Sequence, residues 1–258
     1  MLLAIDVGNT QTVFGLFDGS RLAEHWRVAT EAHRTGDELG ALVTDFLDLE
    51  RVGGICLSST VPQLIREYEA FAERYAAAAR LLVLGPGVRT GISIRYDDPR
   101  EVGPDRIANS VAAKERYGQP CVVVDFGTST NFDAVSARGE FVGGALAPGI
   151  EISVDALSRR AAQLLKVELT RPPRVIGKNT VESLQSGIIY GFAAQVEGIA
   201  QRMARELSPD DPGKVTTIAT GGLAPLVIDE VSVIDAYEPW LTLIGLRLVY
   251  EKNVGDAQ

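Results

Sequence analysis

The feature that most constrains the fold is a short pattern that occurs twice. Leu3-Ala4-Ile5-Asp6-Val7-Gly8-Asn9-Thr10 and Val122-Val123-Val124-Asp125-Phe126-Gly127-Thr128-Ser129 each read as an apolar strand ending in aspartate, then a one-residue gap, a glycine and a polar pair. A glycine there lets the backbone approach a ligand closely, because it has no Cβ and tolerates unusual dihedrals. A single Asp-x-Gly is an ordinary tight turn between strands. Two copies, followed by Thr220-Gly221-Gly222 after another apolar strand, point to a duplicated unit whose two loops face one nucleotide. An aspartate repels phosphate unless a hydrated cation lies between them, which makes Asp6 a candidate Mg²⁺ anchor.

The 258 residues suffice for one large domain or two small packed lobes, and 46% hydrophobic with 23% charged residues is enough to bury a real core. A net charge of -9 without a Lys/Arg-rich run argues against a nucleic-acid partner, since that binding rests on cationic side chains releasing counterions. An acidic chain that handles phosphate must do so through backbone N–H groups, a metal and a few local cations. Cys56 and Cys121 lie in apolar runs and read as small buried hydrophobes, which disfavours a disulfide framework or structural zinc. His25 and His33 have no patterned metal-ligand neighbours. The opening Met-Leu-Leu-Ala-Ile-Asp has no basic leader and meets an aspartate within its first strand, so neither a signal peptide nor a membrane anchor is expected, and the expected location is the cytoplasm.

Hydrophobic spacing predicts strands at 2–7, 12–17, 22–28, 55–57 and 81–84, and helices at 36–49 and 62–79. The stretch 85–104, rich in Gly, Pro and Asp, leads to a helix over 105–117. The second half repeats the alternation with strands at 121–125, 132–135, 141–147 and 215–219, helices at 151–165 and 180–205, and a final helix over 240–252. The class is therefore α/β, with lobes expected at 1–117 and 118–258.

Taken together, Asp6 to Thr10, Asp125 to Ser129 and Thr220 to Gly222 resemble the two phosphate loops and the adenosine turn of the superfamily of sugar kinases, acetate kinase, actin and the heat-shock chaperones. Asp-Val-Gly-Asn-Thr, Gly103-Pro104-Asp105-Arg106, Gly143-Gly144-Ala145 with Pro148-Gly149, and Gly177-Lys178-Asn179-Thr180 are similar, within that superfamily, to the type III pantothenate kinases over nearly the whole chain. The chain departs from that pattern at Pro104, where Ala is frequent, at Asn131, where Thr is common, and at Leu165-Lys166, where Leu-Pro often stands.

The resemblance implies two ribonuclease-H-like lobes with a cleft between them, and transfer of the ATP γ-phosphoryl group to pantothenate in a homodimer that requires Mg²⁺ and K⁺ or NH₄⁺. It implies that Asp6, Gly8, Asn9, Thr10, Thr128 and Gly221 contact ATP, that Asp125 binds the monovalent cation, and that Asp105 is the general base. Tyr96, Gly103, Pro104, Asp105, Arg106 and Thr180 would line the pantothenate site, with the Gly143–Gly149 segment at the acceptor pocket. From residue type alone, Asp105 reads first as a helix N-cap, a role that need not exclude catalysis. Arg106 beside it would favour an ionised carboxylate or grip the substrate's own carboxylate. Asn179 or Thr180 would cap the helix that follows, and Tyr96 reads as a half-buried aromatic. Lys178 beside its glycine reads as a solvated cation, outside the catalytic set. A kinase for a sugar or amino sugar, and a nucleotide-binding regulator without turnover, are the competing readings. Asn9 and the Gly-Pro-Asp-Arg segment count against the first; Asp6, Asp105 and Asp125 present together count against the second.

Overall fold

The computed structural model describes residues 1–160 and 167–254, which divide into two compact units, each with its own sheet. The first sheet contains β1 (Leu2–Val7), β2 (Gln11–Asp18), β3 (Arg21–Ala29), β4 (Gly54–Ser59) and β5 (Arg80–Val83) in the order β3-β2-β1-β4-β5. The second contains β6 (Ser93–Ile94), β7 (Cys121–Phe126), β8 (Ser129–Val135), β9 (Glu140–Pro148), β10 (Thr216–Thr220) and β11 (Ala236–Tyr237) in the order β11-β10-β7-β8-β9-β6.

The duplication expected from the motifs is present strand by strand. In each sheet the Asp-bearing strand, β1 or β7, pairs antiparallel with the next strand of its hairpin and parallel with a strand reached by a helical crossover. The second sheet differs by the short β6 on its outer edge, which falls inside the Gly-, Pro- and Asp-rich 85–104 connection.

Alternation along β1 explains how the first unit is filled. Leu3, Ile5 and Val7 point into one core with Phe14, Leu16, Leu39, Val43, Leu64 and Phe71, the last four supplied by α1 (Gly36–Phe46) and α2 (Pro62–Tyr75). Asp6 and Ala4 alternate to the opposite face. α1 starts at a capping box in which the Thr35 side chain accepts from the Glu38 N–H and the Glu38 carboxylate accepts from the Thr35 N–H. The Thr35 backbone bond, then its hydroxyl, hold the Glu38 carboxyl below its ordinary range. Thr35→Ala is expected to lower Tm by on the order of 3 °C in a thermal melt, with kinetics unchanged.

α1 ends at Phe46, three residues before the expected Leu49, because Leu47 is extended and Asp48 opens a separate 3-10 turn over Leu49–Arg51. α2 ends at Tyr75 where Ala79 was expected. α3 (Pro104–Tyr117) follows the long connection, and α4 (Ile150–Arg160) and α5 (Thr180–Leu207) enclose the second core with Val122, Val124, Phe126, Phe132, Ile150, Ile189 and Val196. The rest of the helix expected at 151–165, and the Leu165-Lys166 departure, lie outside the described residues.

The last helix, α6 (Leu241–Val254), packs on β1 and β4 and groups with Met1–Ile92 and Asp97–Ala112. The division at residue 117 placed it with the other unit, since chain order alone gives no sign of this return. Among the described residues, no helix is long and apolar enough to cross a membrane.

Candidate active site

In the first unit, β1 and β2 are joined by Gly8, Asn9 and Thr10, with the Gly8 N–H donating to the Gln11 carbonyl at 3.0 Å. Asn9 and Thr10 are exposed, while Asp6 at the end of β1 is half-buried. The loop is held from both sides. The Thr30 N–H donates to the Thr10 carbonyl at 2.9 Å, and the Thr60 N–H and hydroxyl donate to the Val7 carbonyl at 2.9 and 3.2 Å. Beneath it the Thr12 and Thr30 hydroxyls meet at 2.9 Å, and Thr12 also bonds Tyr68, whose phenol burial pushes up to about 12. A polar loop tip is thus set on a hydrogen-bonded base.

The Gly103-Pro104-Asp105-Arg106 segment opens α3. Pro104 occupies the first helical position and the Ile107 N–H donates to the Gly103 carbonyl at 3.2 Å, so Gly103 stands where the cap would be. Asp105 therefore sits inside the first turn, which corrects the N-cap reading. Its side chain folds back over Gly103, where an added Cβ would lie 2.4 Å from Oδ1. The residue is half-buried overall, yet Oδ1 is sealed from solvent and has no hydrogen-bond partner in the protein. Burial pushes the carboxyl above its ordinary range, opposed by the Arg106 N–H and the Arg106 charge. Arg106 itself is buried. α3 is fixed to α6 by the Thr242 hydroxyl, which donates to Asn109 Oδ1 at 2.8 Å.

In the second unit the corresponding turn is one residue shorter, Gly127 and Thr128, because Ser129 already belongs to β8. The Gly127 N–H donates to the Ser129 carbonyl at 3.0 Å, Thr128 is exposed, and Asp125 is half-buried and paired in register with Asn131 and Thr220. Asn131, at the Thr position of the family pattern, accepts from the Ser129 hydroxyl at 2.7 Å.

Two glycines press on this turn. Gly221, at φ +90°, lies so close that an added Cβ would be 2.5 Å from the Phe126 carbonyl oxygen and 2.7 Å from Asp125 Oδ1. Its own carbonyl accepts from the Tyr237 hydroxyl at 3.2 Å. A Cβ on Gly149 would lie 2.2 Å from the Thr128 carbonyl oxygen.

Tyr96 follows β6, half-buried as expected, with its ring 6.1 Å from that of Phe141 and its ring edge 3.6 Å from where a Cβ on Gly143 would stand, which puts it beside the Gly143-Gly144 pair. Thr180 is exposed at the first position of α5. The cap is Asn179, whose Oδ1 accepts from the Glu182 N–H at 2.9 Å, which decides between the two candidates. Lys178 is exposed, as read.

A cavity of about 620 Å³ lies in the first unit along residues 44–50 and 75–78, and none of the expected site residues lines it. Among the described residues no three His, Cys, Asp or Glu side chains gather as a metal-binding group. Cys56 and Cys121 are buried, with burial pushing both thiols up to about 12.

Residues 2–202 match the family described as type III pantothenate kinase. The chain belongs to the type III pantothenate kinase family. Among its relatives, the type III pantothenate kinases of Streptomyces avermitilis and Acidothermus cellulolyticus are each 58% identical, the first over 98% of this chain and 99% of its own length, the second over 99% and 100%. Solved structures share the fold at low identity. A Campylobacter jejuni protein described as a conserved, proposed Baf family transcriptional activator gives a TM-score of 0.63 at 18% identity, covering 98% of this chain and 99% of its own. The activator of 2-hydroxyisocaproyl-CoA dehydratase from Clostridium difficile, with bound ADPNP, gives 0.52 at 11%, covering 99% and 96%. This type III pantothenate kinase chain thus carries the two-lobed ribonuclease-H-like fold that the resemblance to its superfamily implies.

Proposed function

We propose that the protein transfers the γ-phosphoryl group of ATP to the primary hydroxyl of pantothenate, giving 4'-phosphopantothenate and ADP in the first step toward coenzyme A. The observation that carries the mechanism is the Asp105 carboxyl in the first turn of α3, whose Oδ1 is buried without a partner and whose proton affinity burial raises. As the pantothenate oxygen bonds to phosphorus and the bond to the ADP oxygen breaks, Asp105 takes the hydroxyl proton. Burial makes it a better base than an exposed carboxylate, while the Arg106 N–H and charge keep the ionised form accessible.

The ATP phosphates are received by Gly8, Asn9 and Thr10 and by Thr128, and the adenosine end by the Gly221 turn. Arg106 faces the pantothenate carboxylate, and Tyr96, Gly103, Pro104 and Thr180 line the acceptor. Asp6 would hold Mg²⁺, which suits an ion that takes one or two carboxylates together with water and substrate phosphates rather than a full protein cage. Asp125 would hold K⁺ or NH₄⁺. Its Oδ1 and the Phe126 carbonyl converge on the space that a side chain at position 221 would fill, an all-oxygen cradle suited to such a cation. Bound there, the metals neutralise charge on the phosphates during transfer.

The proposed assembly is a homodimer, for which the exposed apolar side chains Leu146, Val175, Ile176 and Val181 are available, Ile176 being 79% accessible. The net charge of -9 fits an enzyme without a nucleic-acid partner, and the proposed location is the cytoplasm, with no membrane partner. Phosphorus NMR of a mixture of protein, ATP, Mg²⁺, K⁺ and pantothenate tests the reaction itself. A phosphomonoester resonance should grow with that of ADP; growth of inorganic phosphate alone would contradict the assignment.

A further inference from the structure

Tyr96 is carried by an unusually slight element. β6 is two residues long and lies at the sheet edge, pairing Ser93 with Glu140 and Ile94 with Phe141. A strand this short has too few ladder bonds to hold its own direction. The Arg95 N–H adds one more, to the Phe141 carbonyl at 2.7 Å. Glu140 does the rest: its Oε1 accepts from Arg95 Nε at 2.8 Å and its Oε2 from Arg138 Nε at 2.9 Å. The Glu140 side chain is only 10% accessible, while those of Arg95 and Arg138 are 65% and 82% accessible. The Arg95 bond comes first among the causes that hold the Glu140 carboxyl below its ordinary range.

Directly beyond this clamp, β9 carries a bulge. Its pairing with β8 passes from Phe141 to Gly143 and skips Val142, and Gly143 adopts φ +119°, a conformation that only glycine takes readily. The Tyr96 ring lies over Gly143, with ring carbons 3.6 and 3.7 Å from where a Cβ would stand, and beside Phe141. Ring, bulge and clamp are contiguous within one unit. Ion pairs with exposed arginines contribute little to global stability, so a buried carboxylate gripping two of them is better explained by the geometry it imposes than by the stability it adds.

We propose that Glu140 is a positioning residue for acceptor binding: through Arg95, braced by Arg138, it holds β6 in register so that the Tyr96 ring stays seated over the Gly143 bulge. The proposal rests on the reading that Tyr96 lines the pantothenate site. The test measures KM for pantothenate, KM for ATP and kcat in Glu140→Gln, Arg95→Met, Arg95→Lys and Tyr96→Ala, and in Glu140→Gln combined with Tyr96→Ala. Arg95→Met breaks the same pair from its exposed end and protects the test against a folding defect in the Glu140 variant.

The expected result is a roughly tenfold rise in KM for pantothenate in Glu140→Gln and Arg95→Met, partial recovery in Arg95→Lys, and an unchanged KM for ATP. No further rise should appear when Glu140→Gln is added to Tyr96→Ala. An unchanged KM for pantothenate in both clamp variants, while Tyr96→Ala raises it, overturns the clamp and leaves the role of Tyr96 standing. If Tyr96→Ala has no effect either, the acceptor role of Tyr96 falls, and the clamp's function with it. Equal losses in both KM values and kcat, or additive losses in the double variant, would show a merely structural part and also overturn the proposal.

Discussion

Asp105→Asn is expected to lower kcat about a thousand-fold while ATP still binds, and at the same time to make the protein more heat-stable at neutral pH. Both effects come from one carboxylate. Its Oδ1 is buried without a partner, and burial raises the proton affinity of the group more than the Arg106 N–H and charge lower it. The folded protein therefore holds this proton more tightly than the unfolded chain does. Stability from this group is fully present below the unfolded carboxylate pKa and is lost as pH rises through the window up to the raised folded value. Asparagine cannot ionise and escapes that loss. At pH 7 the variant should melt higher by on the order of 2 °C, and the difference should vanish in acid. The wild-type rate should fall as pH drops through a pKa above the ordinary carboxylate range, because the base must be ionised to act. A variant that melts lower than wild type at pH 7 would mean that Asp105 is bound more favourably as a carboxylate than its surroundings suggest.

Gly221→Ala should be as damaging, by a different route. A Cβ at this position would stand 2.5 Å from the Phe126 carbonyl oxygen and 2.7 Å from Asp125 Oδ1, and φ is +90°. The left-handed backbone alone costs an alanine about 1–2 kcal/mol. The neighbouring atom is main chain and cannot rotate away, so the β7 strand end or the Thr220–Gly222 turn must move. In either case the close approach of this turn to Asp125 and to the Gly127–Thr128 turn is lost. The expected outcome is a loss of about a hundredfold in kcat/KM for ATP together with a lower Tm. Gly87→Ala is the matched control: φ is +89°, but nothing lies within 4 Å of its added Cβ. It should lose stability from backbone strain and keep its kinetics. Equal behaviour of the two variants would show that close approach at Gly221 is unimportant.

The architecture was legible where a local pattern carried it. The strand-end Asp-x-Gly turns recur because each sheet needs the same hairpin beside the same parallel partner, and the duplicated strand order follows. The pattern also misled by one residue. Thr10 and Ser129 align in sequence, yet Thr10 is in its loop and Ser129 is in its strand. Pro104 at the first turn of α3 was a usable sign that Asp105 lies inside the helix rather than at its cap. Asn179 and Thr180 are both good caps, and only the bond from the Glu182 N–H to Asn179 distinguishes them.

What the sequence could not convey are contacts between distant segments. Gly149 meets the Thr128 carbonyl, α6 returns to β1, and Glu140 reaches back to Arg95. Each is a consequence of packing, and no spacing rule along the chain announces it.

The central claim is best tested by a coupled ADP-release assay on the purified protein with ATP, Mg²⁺ and K⁺, comparing pantothenate with a panel of hexoses and amino sugars. The account predicts turnover with pantothenate alone, lost in Asp105→Asn. Turnover with a sugar, or ATP binding without turnover on any acceptor, would contradict it.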